Sequence, residues 1–369
     1  MTNALTLADR SPGRVQGVER AQREPAGRLH ALAHVIEVPA RTRASRRQRA
    51  AAAGGVDGVT KEPYGQRLEA NFQERHTRLK AKRYRHQPIR RVHMPTAQGK
   101  TRPMGIAAFE DKLVQDAMRE VVEAVSAQDF LDGSDGFRPG RSAHEAVRTL
   151  KRIVDREEVG WICEADMVSF CDSWERPALK KRRAVRVADG SLWRRIGQCV
   201  HVGVRDGEAL LEPELGTAQG AVLAPLLGNI SWHYALALWF ATEVKPRLQG
   251  QATLLRYGDD CIIGFEREED ARRVIAGLGK RLERCGLALH SDTTRLLPLG
   301  HPPPTPQRGT GPTTFDFVGC TFSWMRTRPG HWRMWCKTRR ASLRRAKKSI
   351  YDWCRRHRHP SIEGQHAAL

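Results

Sequence analysis

Apolar positions along the chain alternate between two spacings. Leu113, Ala117, Val121, Val122 and Val125 recur at helical intervals, and Ala143, Ala146, Val147, Leu150 and Val154 mark one face of a second helix. WICEADM reads as a short strand ending at Asp166, and TLLRYGDDCIIGF as two apolar runs around a small polar tip, the pattern of a β-hairpin. A third helix follows, with Ala271, Val274, Ile275, Leu278 and Leu282 inward, Glu268 with Arg272 and Glu269 with Arg273 at i,i+4, and Gly286 as its stop. LALHS and FDFVGCTF supply further strands, separated by a Pro/Gly-rich stretch from Pro298 to Thr314. Strand, helices, hairpin, helix, strand is the order of an α+β sheet of the split-βαβ kind. The last segment, Ala341 to Arg356, sets Leu343, Ala346, Ile350 and Trp353 on one face and basic residues around the rest, an amphipathic basic helix. No internal repeat is visible.

Composition adds a partner class. The chain has 369 residues, 63 Lys plus Arg against 41 Asp plus Glu, and a formal charge of +22. With 40% hydrophobic and 28% charged residues it is globular. A surplus of that size favours a polyanion, nucleic acid first and an anionic membrane second. The most apolar stretch, Ala221 to Val244, contains Pro225, Asn229, His233 and Glu243, so it reads as a buried helix and not a membrane span. MTNALTLADRSPGR has no basic segment followed by an apolar one, which argues against secretion and for a cytoplasmic location. Eight cysteines without Cys-x-x-Cys spacing argue for reduced thiols and against structural zinc. Residues 1–53 hold ten Arg and no Lys, clustered at Arg41, Arg43, Arg46, Arg47 and Arg49, and read equally as a solvated, mobile leader or as an RNA-contacting extension. At Gly54 the texture changes with the turn signal GGVDG.

Candidate chemistry centres on three carboxylates. Asp166 ends one strand, and Asp259 and Asp260 sit at the hairpin tip, where a sheet would bring them together. Side by side they would raise one another's pKa values, unless divalent cations neutralise them. Mg²⁺ accepts a few carboxylates and keeps positions for phosphate oxygens, and two such ions about 3.5–4 Å apart serve in-line displacement. An isolated Asp-Asp pair more often caps a helix or faces solvent, so the surrounding motifs decide.

Those motifs resemble a known family. RYGDDCIIGF resembles the catalytic hairpin of reverse transcriptases, usually Tyr-Ala-Asp-Asp, EADMVSFCD the first catalytic strand, and GTAQGAVLAPLLGNI the Gly-Thr-Pro-Gln-Gly-Gly segment with its helix. RRVHMPTAQGKTRPMGI, GFRPGRSAHEA, GLALHSDTTRLL and FDFVGCTF resemble, in order, further segments of bacterial group II intron reverse transcriptase/maturases. The resemblance spans about Gly54 to Arg345. It implies a right-hand polymerase, with an Arg-rich extension over 1–53, fingers over 54–160, a split-βαβ palm over 161–326 and a truncated helical thumb from 327 to 369. Asp166, Asp259 and Asp260 would hold two Mg²⁺ ions, with the Met167 carbonyl as an extra ligand. Arg91, Lys100 and Arg102 would reach the triphosphate, and Phe170, Cys171, Gln219 and Gly220 would line the nucleotide pocket. Arg138 and Arg141 would contact the template, and Phe315 and Phe317, which could also be core, would position the primer end. The implied partners are intron RNA as template, a DNA primer or target, and deoxynucleoside triphosphates, with the oligomeric state open.

Several positions depart from the family. Cys171 stands where a second aromatic excludes a ribose 2′-hydroxyl, Ala218 replaces a proline, and Ala221 a glycine. Thr96 and Thr293 stand where lysines are usual, and Gly258 in place of alanine is similar to the Gly-Asp-Asp of RNA-dependent RNA polymerases. The family continues beyond one basic helix. Two readings follow: an RNA-directed DNA polymerase coupled to intron splicing and mobility, or a non-catalytic intron RNA-binding maturase, a decayed copy of that enzyme.

Overall fold

The computed structural model describes residues 19, 23–24, 27–30, 32, 38–95, 101–156, 159–166, 186–212, 220–287, 289–290, 294–300, 313–359 and 362–368. Its main elements are α1 (Val38–Arg47), α2 (Leu68–Lys80), β1 (Ile89–Pro95), β2 (Thr101–Ile106), α3 (Phe109–Ser126), α4 (Ala143–Arg156), β3 (Trp161–Asp166), α5 (Gly190–Val200), β4 (Val204–Asp206), β5 (Ala209–Leu211), α6 (Ala224–Trp232), β6 (Ala252–Tyr257), β7 (Asp260–Phe265), α7 (Glu268–Glu283), β8 (Arg295–Pro298), β9 (Thr314–Phe317), β10 (Cys320–Arg326), β11 (Trp332–Thr338) and α8 (Arg340–Arg356). Among the described residues no helix is long and apolar enough to cross a membrane.

The central sheet has the order β6-β7-β3-β8 and is antiparallel throughout. Helices α5 and α6 lie in the chain between β3 and β6, and α7 between β7 and β8, so the connectivity is that of a split βαβ unit. Side chains alternate across this sheet, and each face has its own core. Cys163, Ala165, Cys261, Ile263 and Phe265 join the helical side with α3, α5, α6 and α7. Ile162, Leu255 and Ile262 join α4 and a second sheet, β11-β10-β9, on the other. A third sheet, β2-β1-β4-β5, is built on the β1–β2 hairpin, with β4 added parallel to β1.

The arginine cluster before Gly54 is partly internal, contrary to a solvated leader. Arg41 is fully buried, with Nη1 donating to the Phe72 carbonyl at 3.4 Å. Burial first, then the neighbouring Arg75, lowers its pKa to about 10. Arg43 donates to Glu120 of α3 at 2.8 Å, and Arg47 to Asp116 and Glu120 at 2.8 and 2.9 Å. Arg119 pairs with Glu123 at 2.8 Å. α1 therefore lacks an apolar stripe because part of its buried face is guanidinium, matched to an acidic row on α3. Only Arg46 and Arg49 of the cluster are exposed.

Three other expectations change. FDFVGCTF is not one strand but two, β9 and β10, folded back at Val318 and Gly319, whose φ values of 49° and 72° suit a tight two-residue hairpin turn. The strand expected at LALHS lies partly outside the described residues, and the strand that pairs with β3 there is β8, where Leu296 and Leu297 pair with Cys163 and Ile162. Pro298 is tolerated there because β8 is an edge. On α7, Arg272 does pair with Glu268, at 2.7 Å, but Arg273 pairs with Asp270, three residues back, and not with Glu269. The helix closes as expected near Gly286, φ 62°, with Leu287 N–H reaching back to the Leu282 carbonyl at 2.9 Å.

Candidate active site

The β6–β7 hairpin presents two carboxylates at the end of the central sheet. Tyr257 pairs with Asp260, so Gly258 and Asp259 form a two-residue turn. Gly258 has φ 64°, the left-handed region a glycine occupies without strain at the first turn position. Asp259 and Asp260 are both exposed. On the neighbouring strand, position 166 lies directly opposite position 260, so the fold brings the third predicted acid to the same end of the sheet by backbone register. The side chain of Asp166 lies outside the described residues, as do Met167, Phe170, Cys171, Lys100 and Gln219 and the departing positions Thr96, Ala218 and Thr293. Among the described residues no three His, Cys, Asp or Glu side chains cluster at metal-binding distance.

Beneath the turn lies a residue the motif reading passed over. Arg256 is 2% exposed, inside an otherwise apolar strand. Its Nη1 donates to the Gly258 carbonyl and to Asn229 Oδ1, each at 3.0 Å, and its Nη2 to Ser134 Oγ. No carboxylate forms an ion pair with it among the described residues. Burial lowers its pKa to about 10, which leaves it protonated at neutral pH. Burial and the nearby Arg256 and Arg138 also hold His233 neutral, lowering its pKa to about 4. A guanidinium bonded to three neutral oxygens is a fixed donor cluster, and one of its bonds sets the carbonyl just before Asp259. The available signal was an arginine at a core position of a strand, with Asn229 likewise inside an apolar helix.

The loop from 130 to 141 completes this support. Arg256 N–H donates to the Gly133 carbonyl at 2.6 Å, and Asp135 N–H to the Arg256 carbonyl at 2.9 Å. Asn229 Nδ2 donates to the Gly136 carbonyl at 2.7 Å. Gly136 touches the turn so closely that a Cβ there would sit 2.2 Å from Gly258 N. Gly136→Ala is therefore expected to destabilise the protein by about 1–3 kcal/mol and to slow any activity of the turn. Thermal unfolding checks the first part, and an unchanged melting temperature would show that the loop can move aside. Arg138, expected at the template, spends its guanidinium on the carbonyls of Leu131 and Ser134 at 3.0 and 2.8 Å. Arg141 lies 2.8 Å from Asp132 and 3.6 Å from Asp135, so a phosphate would compete with those acids.

The predicted triphosphate side is also assembled in part. Arg91 on β1 lies 3.4 Å from Asp206, and Arg102 is exposed on β2 opposite Met94. Gly220, φ 101°, packs onto the β2 backbone, where a Cβ would lie 2.7 Å from the Gly105 oxygen. Gln115 on α3 accepts the Val222 N–H at 3.1 Å. The backbone after Gln219 is thus seated against the strand that carries Arg102. Phe315 and Phe317 are 1% and 2% exposed, and Phe315 stacks on Phe322 at 5.1 Å. Both are core residues of β9, and that strand is tied to the acidic strand by Asp316 N–H donating to Glu164 Oε1 at 2.6 Å.

This sheet, with its acid-tipped hairpin, is matched over residues 91–322 by the family model for reverse transcriptase (RNA-dependent DNA polymerase). That is more than half of the chain, and the chain belongs to that family. The chain is 36% identical over 179 residues to Protein YkfC of Escherichia coli K12, covering 48% of this chain and 47% of that protein. It is 35% identical over 156 residues to the group II intron-encoded protein LtrA of Lactococcus lactis, covering 42% of this chain and 26% of that protein. An uncharacterized 91 kDa protein in the cob intron of Schizosaccharomyces pombe is 32% identical over 155 residues, or 42% of this chain and 19% of its own. The chain thus spans about half or less of the curated relatives it matches. The resemblance to group II intron reverse transcriptase/maturases read from the motifs is borne out.

Proposed function

We propose that the chain is an RNA-directed DNA polymerase that extends a DNA primer on an RNA template and acts with a group II intron RNA as a maturase. The observation that carries this reading is the register that sets position 166 opposite Asp260, with Asp259 beside it on a fixed turn. Two exposed carboxylates with a third acid placed at the same strand end by register are a donor set suited to Mg²⁺, and Asp166, Asp259 and Asp260 would hold two ions, with the Met167 carbonyl beside them. Bound there, the ions would promote loss of the primer 3′-hydroxyl proton and offset charge on the leaving pyrophosphate. The remaining work belongs to this chain's residues. Arg91, Lys100 and Arg102 bind the triphosphate, Arg by bidentate contact. Gln219 and Gly220 bound the nucleotide pocket with Phe170 and Cys171, and Gly220 leaves room at the backbone. Arg256 keeps the turn in one conformation, and β9 carries the primer-end segment. In this reading residues 54–160 are fingers and 161–326 palm, and the work is cytoplasmic.

Extension of oligo(dT) on poly(rA) with dTTP tests the reading directly. Incorporation is expected with Mg²⁺ and none after chelation. RNA affinity is expected to fall by roughly 10³-fold or more between 50 and 200 mM salt if six or more phosphates are engaged. The substitutions at Thr96, Cys171, Ala218 and Thr293 favour the second reading, a non-catalytic intron RNA binder. No incorporation alongside tight, salt-sensitive RNA binding would leave that reading in place. A flat salt profile would count against both.

A further inference from the structure

A second cationic feature lies away from the carboxylates. An open cleft of about 1270 Å³ is walled by α4 and by the β10–β11 hairpin, and it reaches Gly160, Glu266 and Gly300. Those residues flank the start of β3 and the ends of β7 and β8, whereas Asp259, Asp260 and position 166 mark the opposite end of the same strands. β3 spans six residues, so about 17 Å of strand separates the two ends.

The chemistry of the cleft is one-sided. Arg148, Lys151 and Arg152 line it from adjacent turns of α4, Lys151 and Arg152 each at a spacing that places it about 5–6 Å from Arg148, and Arg333 faces them from β11. Its two acids are turned to the backbone. Asp155 accepts the Met334 N–H at 3.0 Å, with Arg333 3.8 Å away, and Glu266 accepts the Gln251 N–H at 2.8 Å. Among the described residues no carboxylate pairs with Arg148, Lys151 or Arg152. Indole rings adjoin these cations. Trp332 lines the cleft, with the Arg326 guanidinium 5.9 Å from its ring centroid, and Trp335, 49% exposed at the cleft's margin, has the Lys151 ammonium 5.5 Å from its ring centroid. Closely spaced cations beside partly exposed indole rings are what a single strand needs, phosphates on the first and bases stacked on the second.

We infer that this cleft is a second nucleic-acid site, taking a single-stranded segment at the end of the sheet opposite the carboxylates. It goes beyond the polymerase reading and needs no chemistry at the carboxylates. The test uses the full chain and a 5′-fluorescein 20-nucleotide single-stranded RNA, followed by anisotropy. A saturating primer–template duplex with a two-nucleotide overhang is present throughout. Arg148→Ala/Lys151→Ala/Arg152→Ala is expected to weaken binding tenfold or more and to lower the slope of log affinity against log salt by about 2. Trp335→Ala is expected to weaken it about tenfold through lost stacking. Extension of the duplex by the triple variant should stay within twofold of wild type.

Unchanged affinity in both variants would overturn the inference. So would equal loss of RNA binding, extension and melting temperature, which would mark α4 as merely structural. Displacement of the RNA by polyglutamate at equal charge concentration would overturn it in favour of an acidic peptide. If the wild-type chain extends no primer but still binds the 20-mer, and the variants lose it, the polymerase reading falls and the cleft stands.

Discussion

Asp259→Ala is expected to abolish primer extension, by about 10³-fold or more in rate, while RNA affinity stays within a few-fold of wild type. The argument rests on where Asp259 sits. It is exposed at the second position of a two-residue turn, beside Asp260, the residue that lies across from position 166. Removing an exposed carboxylate leaves no cavity, so unfolding stability should change by no more than about 0.5 kcal/mol. It also relieves repulsion between neighbouring acids, against which stands the loss of its charge attraction to the buried Arg256. The variant therefore separates chemistry from folding. Single-turnover extension, a melting curve and an RNA titration measure the three quantities. Extension at the wild-type rate would end the assignment of Asp259 as a metal-holding acid.

Arg256→Met is expected to lower both stability and rate. Methionine keeps much of the apolar stem but withdraws donors from the half-buried Gly258 carbonyl and from the buried Asn229 Oδ1 and Ser134 Oγ. Each acceptor left without a donor costs about 1–3 kcal/mol, and part of that is returned because the charge itself no longer has to be desolvated. A net loss of about 2–4 kcal/mol is expected. The rate should fall by about 10²-fold, since the Gly258 carbonyl precedes Asp259 and a small displacement of a reacting group carries a cost of that size. Arg256→Lys keeps a cation without the planar fork and should recover part of the rate. The Mg²⁺ concentration for half-maximal extension, measured well below the unfolding temperature, distinguishes positioning from general destabilisation. It should rise in Arg256→Met and partly recover in Arg256→Lys. An unchanged Mg²⁺ requirement would reduce Arg256 to a core residue.

Much of this architecture was legible because it is written in apolar spacing. The helices around Leu113, Ala146 and Val274, the hairpin at Gly258 and the strand at Ile162 all bury carbon and announce themselves by period. What escaped is buried by pairing. α1 packs with guanidinium against the carboxylates of α3, and no hydrophobic pattern reports a face made of Arg43 and Arg47 opposite Asp116 and Glu120. Arg256 was hidden in a similar way, an ion inside a strand, with its partners Asn229 and Ser134 far off in sequence. β8 was passed over because a four-residue edge strand ending in proline looks like a linker. The turn inside FDFVGCTF was missed because valine at positive φ is not the residue a tight turn usually advertises. The expectation for the acids rests on neighbouring motifs, since Asp-Asp by itself specifies no chemistry.

The support of the hairpin has a consequence for how the protein comes into being. The α1–α3 ion pairs are complete once residue 120 is available. The turn is different, because Arg256 bonds to Ser134 across 122 positions of sequence and Asn229 to Gly136 across 93. Closing loops of that length is slow compared with forming local contacts, and chains fold as they are synthesised from the N-terminus. A nascent chain on the ribosome would thus display its first helices and part of its cationic surface well before β7 emerges to complete the turn. The support of the turn would therefore be among the last contacts of the chain to form, after the first ion pairs are in place.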